Sequence, residues 1–220
     1  MFERDSWPRI LPFGAYIVFI FIADTLGRAG VPAPQLRWLY AAKIVIVLAL
    51  LIFHRRRYTE LRWSPLSTRV LGVAVVSGVV VWVLWINLNA GWMTIGGSAG
   101  FDFHSNGRID WLLVAIRLAG AALVVPVMEE LFWRSFLMRW LVDPDFLRVD
   151  PARCTWMALT VTTILFGFEH SLWLAGIAAG AVYSVLYLRS RTLWPSVIAH
   201  GVTNGLLGVW IISTNQWTYW

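Results

Sequence analysis

Three stretches of this 220-residue chain put ionisable side chains inside apolar sequence. Glu129 and Glu130 stand five and four residues before Arg134, His170 closes a run that contains Phe166, and His200 is followed four residues later by Asn204. Two carboxylates, two imidazoles, an amide and a guanidinium are the materials of acid–base catalysis, of a zinc site or of a proton relay. Spacing adds detail. Glu130 and Arg134 share a helical face and can pair within the helix, whereas Glu129 lies about 100° round it and keeps no partner in the sequence. Phe166 and His170 share a face, as do His200 and Asn204, and neither polar group of the latter pair is favourable against lipid. The plainer alternatives are a Glu–Arg pair locking two helices, a histidine at a membrane interface and a pair of interhelical hydrogen-bonding residues.

The elements that must carry these residues are apolar spans. The chain is 59% hydrophobic and 14% charged, about half the charge of an ordinary soluble domain, with mean hydropathy +0.66. Fifteen Trp suit the two interfacial belts of a membrane protein. Spans are expected at about Leu11–Leu26, Leu39–Phe53, Val70–Leu88, Trp111–Val142, Cys154–Phe168, Leu172–Leu188 and Leu193–Ile212. Trp111–Val142 is read as one crossing kinked near Pro126, since such a helix reaches about 48 Å. Splitting it would give eight crossings and break the charge rule. Asn89–Asp110 is the longest polar loop. The expected fold is all-α, a polytopic transmembrane helical bundle of seven or eight spans forming one domain, residues 1–220, with its chemistry in the C-terminal half.

Charge orients the bundle. The net charge of +6 comes from arginines between spans, Arg55, Arg56, Arg57, Arg62 and Arg69 above all, rather than from one polar face. This argues against a nucleic-acid partner and places that loop in the cytoplasm, with the N-terminus inside. The start of the chain reads as a first span, not as a cleaved signal. Cys154 is the single cysteine, so neither an intrachain disulfide nor a cysteine zinc site is available. His54 and His104 fall outside the spans, and Glu169 is expected to point away from the cluster into solvent.

The three stretches in order, Glu129-Glu130-x-x-x-Arg134, Phe166-x-x-x-His170 and His200-x-x-x-Asn204, resemble the motifs of the CPBP (Abi) family. That family groups CAAX prenyl endopeptidases with bacteriocin-processing and immunity proteins, and the CAAX prenyl protease-related subgroup is nearest in style. The resemblance covers residues 124–207. It implies an intramembrane glutamic endopeptidase in which Glu129 and His170 bind and activate water, His200 and Asn204 stabilise the oxyanion, and Glu130 and Arg134 orient the site. The implied enzyme needs no cofactor, acts on a peptide or protein that can itself be membrane-associated, has membrane lipids as its other partners, and sits in a bacterial inner membrane. The prenylated substrate of eukaryotic relatives is not carried over. Ser135 stands where family members commonly have Gly, and residues 1–110 show no motif. Two alternatives stay open: a zinc peptidase with Glu129, His170 and His200 as ligands, and a non-catalytic immunity, scaffold or proton-coupled carrier protein. If catalytic, Glu129, His170, His200 and Asn204 are expected to line one cavity opening toward the cytoplasm.

Overall fold

A computed structural model describes residues 4–62, 65–96, 100, 103–105 and 107–220. Seven helices stand where the apolar runs predict: α1 Trp7–Arg28, α2 Ala33–His54, α3 Thr68–Asn87, α4 Trp111–Trp140, α5 Trp156–Phe168, α6 Trp173–Ser190 and α7 Trp194–Thr214. Five of them, all but α5 and α6, are long and apolar enough to cross a bilayer. The 13 residues of α5 reach only about 20 Å, short of a hydrocarbon core of about 30 Å. Short 3-10 turns and one antiparallel strand pair, His104–Ser105 with Arg108–Ile109, are the other regular elements among the described residues. Parts of the long polar loop, residues 97–99, 101–102 and 106, lie outside the description.

The packing brings α7 to the middle. It lies against α3, α6 and α4, while α5 packs on α6 and α1 on α2. Small residues permit this, as they do wherever membrane helices approach closely. A Cβ at Gly78 of α3 would collide with the Ala199 carbonyl of α7, and one at Gly201 would come within 2.8 Å of the Ala122 carbonyl of α4. A hydroxyl chain then fixes the register of three helices. Tyr183 of α6 donates to Thr203 of α7 (2.7 Å), and the Thr203 hydroxyl donates to the Gly78 carbonyl of α3 (2.9 Å).

Helix α4 is continuous, as expected, but its irregularity is more specific than a kink. It carries two wide π-type stretches, Gly120–Val124 and Leu131–Leu137, on either side of the glutamate pair. In the first, the Val125 N–H reaches back five residues to the Gly120 carbonyl. The same step would give the Ala121 carbonyl to Pro126, which has no N–H. That carbonyl is therefore free, and the Asn204 side chain donates to it at 2.9 Å. Pro126 thus acts through the acceptor it leaves open.

The arginine-rich end is closed by a buried network that the sequence did not announce. Arg9, fully buried, donates to both carboxylate oxygens of Glu60 (2.9 and 2.7 Å) and to the Asp5 and Arg57 carbonyls. Glu60 also accepts from the Ser135 hydroxyl, and Arg139 donates to that hydroxyl at 2.7 Å. Arg9 and Arg139 both lie over the Phe146 ring. Burial pushes the Glu60 carboxyl up, but the Arg9 hydrogen bonds and charge, with the Ser135 hydroxyl, outweigh it and hold Glu60 below the usual carboxylate range. Ser135, the departure from the family pattern, belongs to this network.

Candidate active site

Glu129 and Glu130 come from the α-helical stretch Val125–Glu130 between the two wide turns of α4, and both are buried. Glu130 Oε1 accepts from Arg134 Nη1 and from His200 Nδ1, each at 3.0 Å. The predicted Glu130–Arg134 pair is present, and it holds His200 as well. Arg134 is seated 4.2 Å above the Phe166 ring and within 3.4 Å of the Gly180 carbonyl. The Tyr183 ring stacks on His200 with centroids 4.9 Å apart and 18° between planes.

Glu129 is left differently. Its Oε2 is buried without a hydrogen-bond partner among the described residues, 3.9 Å from His200 Nε2. His170 Nδ1 lies 2.8 Å from the Phe166 carbonyl, four residues back. A carbonyl can only accept, so Nδ1 carries the proton and Nε2 is left with its lone pair. The ring is wedged between Trp85 and Phe166, at centroid distances of 5.2 and 4.9 Å.

One cavity of about 170 Å³ has Glu129, His170, His200 and Asn204 in its wall, so the structure brings together all four residues that the motifs single out. Tyr16, Tyr40, Arg117 and Trp220 complete much of the lining. Behind the two tyrosines lies Lys43, buried, with its ammonium 3.7 Å from the centre of the Tyr16 ring. His54 and His104 are not in the wall.

A second cavity of about 430 Å³ shares Glu129, His170, Trp85 and Tyr219 with the first and leads outward past Asn89, Thr94, Ser171 and Thr218. Those residues follow α3, precede α6 and follow α7, which is the end of the bundle opposite Arg55–Arg57. The expectation of a mouth on the arginine-rich side is therefore wrong. The physical cause is twofold. Short α5 ends early and recesses the turn Glu169–Leu172, while the Arg9–Glu60 network plugs the other end. Glu169 is also not simply solvated. It accepts from Trp133 Nε1 at 3.0 Å and lines the outer cavity.

Sequence reasoning missed Tyr183, Trp85 and Glu169. Tyr183 carried a faint signal, since it and Tyr187 are the bulky members of a buried stripe otherwise made of small residues, Ala175, Gly176, Ala179, Gly180 and Ser184. Trp85 was lost among fifteen tryptophans. Among the described residues no three His, Cys, Asp or Glu side chains come together as a metal-ligand set.

A family model described as type II CAAX prenyl endopeptidase Rce1-like matches residues 111–206. The match begins at the first residue of α4 and runs into α7, so it contains every motif residue named above. The motif-based resemblance to CAAX-type membrane proteases is therefore shown over that stretch. No curated protein and no solved structure matches the chain.

Proposed function

We propose that this chain, whose residues 111–206 match a family model described as type II CAAX prenyl endopeptidase Rce1-like, hydrolyses a peptide bond inside the membrane with water activated by Glu129 and His170 and no metal ion. One observation carries the reading. Glu129 presents a buried, unpartnered carboxylate oxygen in the wall of the cavity that His170, His200 and Asn204 also line.

In this mechanism water lies between Glu129 and the free Nε2 of His170. Glu129 takes its proton as the oxygen attacks the scissile carbonyl carbon, and His170 Nε2 accepts the second O–H and aims the nucleophile. The carbonyl oxygen becomes an oxyanion. To donate to it His200 must act as the imidazolium, its Nδ1–H held by Glu130 and its Nε2–H aimed at the oxyanion, beside the second N–H of the Asn204 amide. Glu129 then returns its proton to the amide nitrogen as the C–N bond breaks. Arg134 and Glu130 keep His200 in place and do not touch the reacting atoms. The substrate is a peptide or protein segment able to reach a cavity within the bundle. The same reading puts the protein in a bacterial inner membrane with the arginine-rich loop and N-terminus in the cytoplasm, supported by the arginine distribution.

The test is a peptidase assay on purified protein in detergent with a screened peptide substrate. Glu129→Gln keeps the shape and removes the base, so turnover should fall at least ~100-fold with folding intact. Chelators should leave the wild type active. Stoichiometric zinc, bound by the wild type and lost from His170→Ala and His200→Ala, would overturn the metal-free chemistry. A biological activity that persists in Glu129→Gln, with no peptide cut, would point to the scaffold role instead.

A further inference from the structure

The outer faces of α3 and α6 enclose a groove that has no part in the cavity described above. It holds about 390 Å³ between Val73 and Ser77 of α3 and Val182, Val185 and Leu186 of α6. It continues, through shared Val73, Leu186 and Arg189, into a hollow of about 160 Å³ reached by Arg69. Val73 and Val185 are about half exposed, so this wall faces outward from the bundle. The polarity changes sharply along its length. The depth of the groove is aliphatic, and its end at the arginine-rich side carries two guanidinium groups, Arg69 in the first turn of α3 and Arg189 in the last turn of α6.

Among the described residues neither arginine has a countercharge. No carboxylate lines either hollow, and among the described residues neither Arg69 nor Arg189 forms an ion pair. The nearby Asp150 faces Arg191 instead, at 3.8 Å. The occupant must therefore supply an anion at the membrane surface and an aliphatic chain below it. A second copy of this chain does not fit, because a two-fold contact through this face would set the arginines of one protomer against those of its partner. A zwitterionic lipid would fill the groove but leave the cations without net compensation.

We propose that the groove binds one anionic phospholipid, its acyl chain against Val73, Val182, Val185 and Leu186 and its phosphate bridged by Arg69 and Arg189. A lipid so placed clamps α3 to α6, whose inner faces contribute Gly78 and Tyr183 to the packing behind His200. Basic side chains at the edge of a span are suited to this, each strengthening the attraction to anionic lipid by roughly fivefold.

The test needs no substrate and so stands apart from the peptidase assay. Intact protein in neutral detergent is titrated with phosphatidylglycerol or phosphatidylcholine and weighed by native mass spectrometry. The wild type should retain one phosphatidylglycerol and little phosphatidylcholine. Arg69→Gln and Arg189→Gln should each weaken retention about fivefold, and the pair at least ~10-fold. Val185→Trp fills the groove from a lipid-facing position and should abolish retention with both arginines present. Equal retention of the two lipids, undiminished retention in Val185→Trp, or a lipid-free dimer would each overturn the proposal.

Discussion

Two buried ionic clusters sit within a few residues of each other along α4, and they are finished to different degrees. In the cluster at the arginine-rich end, both oxygens of Glu60 are taken, by Arg9, Ser135 and Thr59. In the cluster around Glu130, Glu129 Oε2 and Glu130 Oε2 remain without partners among the described residues. Buried polar groups are nearly always satisfied, and one left open in a cavity wall is poised for something that arrives later. A complete network holds helices; an incomplete one next to space can bind and react. The difference separates a structural cluster from a candidate site although both are built from Glu, Arg and a third polar residue.

The comparison is broken most severely by Arg9→Ala. That change leaves Glu60 buried with its main countercharge gone and removes the donor to the Asp5 and Arg57 carbonyls. Loss of one partner of a buried pair costs about 3–5 kcal/mol. Thermal unfolding in detergent should show a large drop, and an Arg9→Ala protein as stable as the wild type would refute the structural assignment of this cluster. Arg134→Ala should fall at the lower end of the same range, because His200 continues to hold Glu130. Unlike Arg9→Ala, it should also depress turnover in molecules that remain folded. Full activity in a well-folded Arg134→Ala protein would show that the pair does not orient His200.

Much of this was readable from the sequence, for a physical reason. Lipid tolerates few ionisable or strongly polar groups, so Glu129, Glu130, Arg134, His200 and Asn204 stand out against apolar runs, and the runs themselves give the helices. What stayed hidden depends on distant partners or on geometry without a periodic signature. Arg9 and Glu60 are 51 residues apart, and Glu60 and Ser135 are 75 apart. Nothing in either local pattern pairs them. The wide turns of α4 leave no mark on hydrophobic spacing, so the acceptor that Ala121 offers Asn204 could not be inferred from Pro126 alone. The direction of the cavity mouth followed from the shortness of α5 and from the plug at the other end, both properties of the assembled bundle.

Acid sharpens the contrast in a gentler way. Glu60 is held below the ordinary glutamate range of about 4.3 by Arg9 and Ser135 in the folded protein. A lowered folded-state value adds stability that is present above the unfolded value and is lost as pH falls through the folded one. Stability should therefore decline below about pH 4.3, and in Glu60→Gln that part of the decline should be missing. An unchanged acid limb in the variant would mean that Glu60 does not carry it.

The smallest effect is expected at Ser135, next to Arg134 in sequence but part of the other cluster. Its hydroxyl donates to Glu60 and accepts from Arg139, whose Nε separately reaches the Ser135 carbonyl at 2.6 Å. Ser135→Ala removes the hydroxyl alone. Glu60 keeps Arg9, and Arg139 keeps the backbone carbonyl, so the loss should be about 1 kcal/mol, the usual net worth of one hydrogen bond. Because Ser135 does not line the cavity, turnover measured well below the melting temperature should stay within about twofold of the wild type. A variant with wild-type melting and strongly reduced turnover would join Ser135 to the catalytic cluster, and the division between a finished and an unfinished network on α4 would fail at the one residue that lies between them.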